Sequence, residues 1–160
     1  MRLLIAAVGR LKQGPERDLF AHYVGRALAA GRKVALSPLE VVEIAEAKGA
    51  SPQARMEAEA EMLLAKRPSS YKLICLDRGG TEMGSEAFAR DLAKLRDSGA
   101  PGLAFFVGGA DGLGLRALDE ADLVISFGKL TLPHGLARIV LAEQIYRAIT
   151  ILSGHPYHRA

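Results

Sequence analysis

The sequence predicts an α/β domain in which a layered, mostly parallel sheet carries helices on both of its faces. Two observations lead to this fold class. Short apolar runs of strand length alternate along the chain with amphipathic segments of helical length, and strands separated by helices usually pair in parallel. The apolar runs are unbroken, which is typical of strands that are buried on both faces.

The first strand is expected over residues 3–8, an apolar run that is short for the apolar region of a signal peptide. The helix that follows begins at Pro15 and is expected to end at residue 30, with Gly31 as its C-terminal stop. The second strand is expected over residues 39–44, with the sequence LEVVEI. These elements supply the first strand, helix and strand of the alternating pattern.

Ser51 and Pro52 are expected to be the N-cap and the first residue of the second helix, which continues to about residue 66. The later elements are, in chain order, a strand at 71–76, a helix capped by Ser85 and closed by Gly99, a strand at 103–107, a helix at 113–121, a strand at 123–126 and a helix at 136–152 that stops at Gly154. The last helix is apolar over more than one face, so it is either central or half of an oligomer interface.

The chain has 160 residues, of which 49% are hydrophobic and 24% charged, a composition that suits a globular protein with a core of its own. No repeat or long linker divides it, so we expect one domain over residues 1–160. The single cysteine, Cys75, excludes an intrachain disulfide and a multi-cysteine metal site, and we expect it to be buried. No apolar stretch is long enough to cross a membrane, which favours a cytoplasmic protein.

Four glycines, Gly108, Gly109, Gly112 and Gly114, follow a predicted strand and precede a helix, as in a nucleotide-binding turn. Their spacing is not Gly-x-Gly-x-x-Gly, so a tight turn that needs positive φ explains them as well. The motifs of P-loop enzymes, zinc hydrolases and serine hydrolases are absent.

The C-terminal quarter is locally basic, because Lys129, Arg138, Arg147 and Arg159 are accompanied by one acid, Glu143. Such an excess suits a phosphate backbone. The alternative is a solvated surface on which Glu143 and Arg147 form an ordinary i,i+4 pair. The tail that follows is either frayed or an RNA-binding segment, in which a ring, an imidazole and a guanidinium stand side by side.

The chain resembles the ribosomal large-subunit RNA methyltransferase H family of the SPOUT superfamily. The motifs that carry the resemblance are GGADG (108–112), LTLPH (130–134) with Arg138, EQIYRA (143–148) and PYHR (156–159). They occur in the family's order and cover the chain to its end. Three departures are visible: Tyr23 is followed by Val24, Gly25 and Arg26 instead of a Lys-Arg pair, the stretch at 30–38 is longer than usual, and Gly135 stands where a larger residue is common.

The resemblance implies a C-terminal trefoil knot, a homodimer and methylation of N3 of a pseudouridine in 23S rRNA, with S-adenosylmethionine as the methyl donor. It implies neither DNA nor a membrane nor a metal as partner. A knot is not expected from general rules of chain topology, so it is predicted by the resemblance alone. The family's cofactor contacts correspond to Leu76, Gly108, Phe127, Gly128, Lys129, Leu130, Thr131 and Leu132.

N3 of uracil is protonated at neutral pH, so the reaction needs a base or a cationic stabiliser. The candidates are His158 as base or proton relay, Arg159 and Arg138 on phosphate or developing negative charge, and Tyr157 to position the base. His134 competes with His158, although it could equally fix the knot loop. We expect the assembled ribosome to be a better substrate than naked rRNA.

Three other functions stay open on the sequence alone. They are a SPOUT methyltransferase that acts on tRNA, a nucleotide-binding oxidoreductase or flavin module on the same layered sheet, and an RNA-binding protein without catalytic activity. The missing Gly-x-Gly-x-x-Gly spacing argues against the second. Fold-level similarity alone would not separate these functions.

Overall fold

The computed structural model describes residues 1–159. Its elements, in chain order, are β1 (Arg2–Val8), α1 (Pro15–Gly31) with a 3₁₀ turn (Arg32–Val34), β2 (Leu39–Ile44), α2 (Pro52–Leu64), β3 (Lys72–Glu82), α3 (Ser85–Asp97), β4 (Gly102–Val107), α4 (Leu115–Asp119), β5 (Leu123–Ser126) and α5 (His134–Leu152).

The five strands form one sheet in the order β2-β1-β4-β3-β5. Every pairing is parallel, so the predicted α/β class is confirmed and the sheet is parallel throughout. Strand β3 runs further than expected, because its register against β5 shifts between Leu76 and Thr81. Gly80 lies within this irregular part, where a Cβ would stand 2.6 Å from the Ile125 carbonyl carbon.

Alternate residues of the central strands pack into two separate cores. Leu3, Ile5 and Phe105 face α1, α3 and α5, whereas the residues between them face α2 and α4. Cys75 belongs to the second core, where it is fully buried and burial raises the pKa of its thiol to about 12. The prediction of a buried cysteine is therefore confirmed.

Two predicted helix ends are wrong. Gly31 does not stop α1, because it has helical φ and the chain continues into the 3₁₀ turn, where Ala35 adopts the left-handed conformation. A Cβ at Gly31 would lie 2.2 Å from the Leu36 carbonyl oxygen, so close packing requires this glycine. Ser85 is the first residue of α3 rather than its cap. Ser51 caps α2 as predicted, accepting a hydrogen bond from the Ala54 amide at 3.1 Å.

Helix α5 lies between α1 and α3 on one face of the sheet. Its buried residues are spread around the helix, which explains why its apolar pattern covers more than one face. The sequence left open whether this helix is central or half of an oligomer interface, and within this chain it is central. None of the helices within residues 1–159 is both long and apolar enough to span a membrane.

Candidate functional site

The main cleft lies at the carboxyl ends of β3, β4 and β5 and has a volume of about 480 Å³. The helices that follow β3 and β4 lie on opposite faces of the sheet, since α3 packs beside α5 and α4 packs beside α2. In open parallel sheets, ligands bind where successive connections diverge in this way. The topology therefore makes this edge of the sheet the candidate binding site.

The segment after β4 forms one wall of the cleft through a tight glycine turn. A Cβ at Gly108 would lie 2.5 Å from the carbonyl carbon of Gly112, so the backbone leaves no room for a side chain. Gly112 has a φ of +99°, a conformation that glycine adopts without strain. The tight-turn explanation of these glycines is confirmed for Gly112, whereas Gly108 is required by close approach of the backbone.

Helix α2 holds this turn in place through two charged side chains that the sequence analysis did not identify. Arg55 Nε donates to Asp111 Oδ2 at 2.8 Å. Glu57 Oε1 accepts a hydrogen bond from the Leu115 amide at 2.8 Å and so satisfies the N-terminus of α4. The spacing of Arg55 and Glu57 on the helix gives no signal of these contacts, because both partners lie more than fifty residues away.

The segment after β5 forms the opposite wall. Ser126 Oγ bonds with both the amide and the carbonyl oxygen of Gly128 at 3.1 Å, and Gly128 has a φ of +108°. The next residues expose unusual apolar surface, since Leu130 is 84% exposed. Seven of the eight residues predicted for the cofactor line the cleft; the other, Lys129, is exposed and does not.

His134 is the first residue of α5 and lines the cleft as well. Its neighbour Gly135 differs from the larger residue that is common in the resembling family. A Cβ there would stand 2.4 Å from Glu16 Oε2, so the glycine accommodates a carboxylate from α1. Among the five predicted catalytic residues, His134 is thus the one that lines the cleft of its own chain.

Arg138 does not face the cleft, which corrects the expectation that it contacts phosphate. Its side chain is 1% exposed. Arg138 Nη1 donates to Glu43 Oε1 at 2.8 Å, and Nη2 donates to the carbonyl oxygens of Val8 and Gly9 at the end of β1. Burial lowers the pKa of Arg138, and the nearby carboxylates of Glu43 and Glu46 oppose that shift. With these groups occupied, Arg138 joins α5 to β1 and β2.

The C-terminal tail is docked up to Arg159, so the frayed segment, one of the two interpretations left open by the sequence, is wrong. Tyr157 packs against Tyr146 with ring centroids 4.7 Å apart. Its hydroxyl donates to Glu143 Oε1 at 3.0 Å. Arg147 donates to the same oxygen at 2.6 Å, so the predicted i,i+4 pair is present too.

His158 and Arg159 follow this anchor and lie away from the cleft of their own chain. His158 Nδ1 is 3.3 Å from Arg147 Nη1, and Nε2 is 3.7 Å from Glu86 Oε1. Because a guanidinium can only donate, Nδ1 is assigned as the acceptor and Nε2 as the protonated nitrogen. Arg159 is exposed. The structure therefore brings the tail residues together but does not join them to His134.

A second, smaller cleft of about 350 Å³ shares residues 125–128 with the first. Ser85 and Gln144 line it, and the Ser85 hydroxyl donates to Gln144 Oε1 at 2.7 Å. Among residues 1–159, no group of three or more His, Cys, Asp or Glu side chains is placed to hold a metal ion. The main cleft thus presents backbone groups, apolar surface and the carboxylates of Asp77 and Asp111 to a ligand.

Comparison with known proteins relates the whole chain to one family. The family model described as "Predicted SPOUT methyltransferase" matches residues 1–158. A protein of Xanthobacter autotrophicus named ribosomal RNA large subunit methyltransferase H is 51% identical over 160 residues, all of both chains. A protein of the same name from Methylocella silvestris is 46% identical over 99% of each.

A crystal structure described as a methylase family protein, from Neisseria gonorrhoeae, aligns over 91% of this chain and 80% of its own length. The two share 14% sequence identity, with a TM-score of 0.50. At this identity the likeness concerns the fold alone.

Proposed function

Because the chain belongs to the SPOUT methyltransferase family, we propose that it transfers a methyl group from S-adenosylmethionine to N3 of a pseudouridine in 23S rRNA of the large ribosomal subunit. The observation that carries the proposal is the full-length similarity to proteins named ribosomal RNA large subunit methyltransferase H. The location of the cleft supports it, since seven of the eight residues that the resemblance predicts for the cofactor line that cleft. We treat residues 1–160 as one methyltransferase domain.

The cleft fits S-adenosylmethionine in size and chemistry. Its volume of about 480 Å³ falls in the range of about 300–1,000 Å³ that is typical of small-molecule sites. Backbone groups of residues 130–132 are available to an adenine ring, with Leu76 and Leu132 as apolar contacts. Asp77 gives negative charge that suits a cationic ligand, whereas Asp111 is paired with Arg55. When bound, the cofactor supplies a methyl group that its sulfonium has already activated.

The residues of the chain must then position the pyrimidine and remove the N3 proton. We propose His158 as base or proton relay and Arg159 as the contact to phosphate or developing negative charge, with His134 as the competing base. Because the tail does not line its own chain's cleft, we propose a homodimer in which one tail completes the partner's cleft. The exposed side chains of Phe127, Leu130 and Leu136 support such an interface.

We also propose that the C-terminal segments form a trefoil knot. Strand β5 lies at the edge of the sheet beside β3, yet α5 packs between α1 and α3. Arg138 on α5 reaches the carboxyl end of β1. Residues 127–133 must therefore pass across the ends of β3 and β4, a path that suits a threaded chain.

The proposal is tested by transfer of radiolabelled methyl to whole ribosomes, large subunits, naked rRNA and bulk tRNA in parallel. We expect label in the 23S rRNA of whole ribosomes, at a pseudouridine, and little label in naked rRNA. A ribosomal substrate would place the enzyme in the cytoplasm. Label in tRNA alone would contradict 23S rRNA as the substrate. The absence of label in every RNA would favour a non-catalytic RNA-binding protein.

Gly108→Ala is expected to weaken S-adenosylmethionine binding about tenfold to a hundredfold. The added methyl group would meet the Gly112 backbone at 2.5 Å, and such overpacking costs about 1–3 kcal/mol. The cleft wall would have to move to make room. Isothermal titration calorimetry measures the effect. Gly25→Ala is the control, because it adds the same methyl group to an exposed helical position with no atom within 4 Å. Equal affinity of the two variants would contradict the prediction.

Free cations follow the carboxyl ends of three strands: Arg10 and Lys12 after β1, Lys48 after β2 and Lys129 after β5. All are exposed, and within residues 1–159 none of them forms an ion pair. They therefore lie on the edge of the sheet that holds the cleft. Cations that are not neutralised by acids are available to RNA phosphates.

The double variant Arg10→Gln/Lys12→Gln is expected to bind ribosomes about tenfold more weakly and with a shallower dependence on salt. Each lost phosphate contact lowers the log–log slope by about one. Filter binding at several salt concentrations measures both effects. The matched control is Lys72→Gln/Lys94→Gln, since these lysines are paired with Asp122 and Asp91. An equal loss of ribosome affinity in the two double variants would contradict a specific role in RNA binding for the cations at this edge of the sheet.

A further inference from the structure

We propose that Glu143 is the positioning residue that holds the C-terminal tail, with His158 and Arg159, in the geometry that methyl transfer requires. The inference rests on the proposed function. The carboxylate of Glu143, in the middle of α5, fixes the conformation of the tail by binding the Tyr157 hydroxyl. Tyr157 is then an anchor of the tail and does not contact the target base.

Glu143 receives hydrogen bonds from three residues, two on α5 and one in the tail. Its Oε1 accepts from Arg147 Nε at 2.9 Å and Nη2 at 2.6 Å, and from the Tyr157 hydroxyl at 3.0 Å. Its Oε2 accepts from Gln144 Nε2 at 2.7 Å. Gln144 in turn accepts from Ser85 at the start of α3. The side chain of Glu143 is 15% exposed, so these partners replace most of its water.

The ring of Tyr157 is enclosed by cations and by a second ring. The guanidinium carbon of Arg26 lies 5.2 Å from its centroid, and that of Arg147 lies 4.9 Å away. Tyr146 packs against it edge-on and accepts a hydrogen bond from Arg26. Burial raises the pKa of Tyr157, and hydrogen bonds with Tyr23 and Glu143 raise it further. The hydroxyl therefore stays protonated and can keep donating to the carboxylate.

This enclosure leaves Tyr157 little face on which a nucleobase could stack. The two residues after it are differently placed: His158 is half-buried with Nδ1 toward Arg147, and Arg159 is exposed. Glu143 orients Arg147 with two hydrogen bonds, and Arg147 is the residue that meets His158. One carboxylate thus fixes the tail twice, through the Tyr157 hydroxyl and through the guanidinium that contacts His158.

The test compares Glu143→Ala, Glu143→Gln and Tyr157→Phe with the control Glu61→Gln, which alters an exposed carboxylate of α2 that pairs with Arg116. Three quantities are measured: amide hydrogen exchange of residues 153–159, the Kd for S-adenosylmethionine, and kcat and KM on ribosomes. Thermal melting of each variant, followed by circular dichroism, establishes that it is folded.

We expect exchange in the tail of Glu143→Ala to be faster by about tenfold to a hundredfold, as for loss of hydrogen bonds to a charged group. Tyr157→Phe keeps the enclosed ring and loses one bond, so its effect is smaller. Glu143→Gln keeps an acceptor without the charge and recovers part of the protection. In all three, kcat falls in step with the loss of protection, whereas the Kd for S-adenosylmethionine stays within about twofold of wild type.

Unchanged tail exchange in Glu143→Ala would overturn the proposal. So would a loosened tail with unchanged kcat, because the tail would then need no fixed position. Exchange and cofactor binding are measured without RNA. If wild type methylates no RNA, the proposed function fails, whereas the anchoring by Glu143 is still tested by the exchange data.

Discussion

Replacing Arg138 with methionine is expected to lower the free energy of unfolding by about 3 kcal/mol. The variant fills much of the same space, but it removes the guanidinium donor from the carbonyl oxygens of Val8 and Gly9 and from the Glu43 carboxylate, which keeps only the Leu11 amide. Removing one member of a buried ion pair costs about 3–5 kcal/mol. We expect the lower end of this range, because the side chain of Glu43 is 28% exposed and can be partly rehydrated.

Urea denaturation followed by circular dichroism measures this loss. The matched control is Arg116→Met, which removes an arginine of the same size from the exposed pair with Glu61. Exposed pairs contribute about 0–1 kcal/mol, so this variant should unfold close to wild type. A loss in Arg138→Met as small as that in the control would show that the buried network does not stabilise the fold, and Arg138 would again be available as an RNA contact.

His158→Ala is expected to reduce kcat by about 10²–10⁴-fold, the usual contribution of general acid–base catalysis. The Kd for S-adenosylmethionine should change little, because the proposed role of His158 is to take the N3 proton of the pyrimidine and not to hold the cofactor. Single-turnover methylation of ribosomes at saturating cofactor measures the rate. His22→Ala is the control, since it removes an exposed imidazole from α1.

An equal loss of turnover and of cofactor binding would contradict the role of His158 as base or proton relay. A variant with normal turnover would transfer that role to His134, which lines the cleft at the start of α5. The same comparison bears on the homodimer. If His158→Ala and His134→Ala are each inactive, mixing the two proteins should restore some activity only when tail and cleft come from different chains.

The sequence alone predicted the secondary structure and the order of elements well. The strands predicted at 3–8, 39–44 and 123–126 have nearly the same bounds in the structure. For residues 3–8 the reason is burial on both faces, which favours an unbroken apolar segment, whereas 39–44 is an edge strand that includes Glu40 and Glu43. Ser51 and Pro52 marked the start of α2, since capping depends on residues only three apart. The motifs around Gly108 and residues 130–134 identified the family, and most of the residues they point to line one cleft.

The tertiary structure alone decided which charged and aromatic side chains are free to act. Arg138 looked like an exposed cation, but its donors meet Val8, 130 residues away in the chain. Tyr157 looked like a free stacking ring, but it is anchored on Glu143 between Arg26 and Arg147. A helix or strand forms from neighbours in the sequence, and its pattern is therefore local. The partner of a charged side chain depends on which distant segments the fold brings within about 3 Å, and no local pattern contains that information.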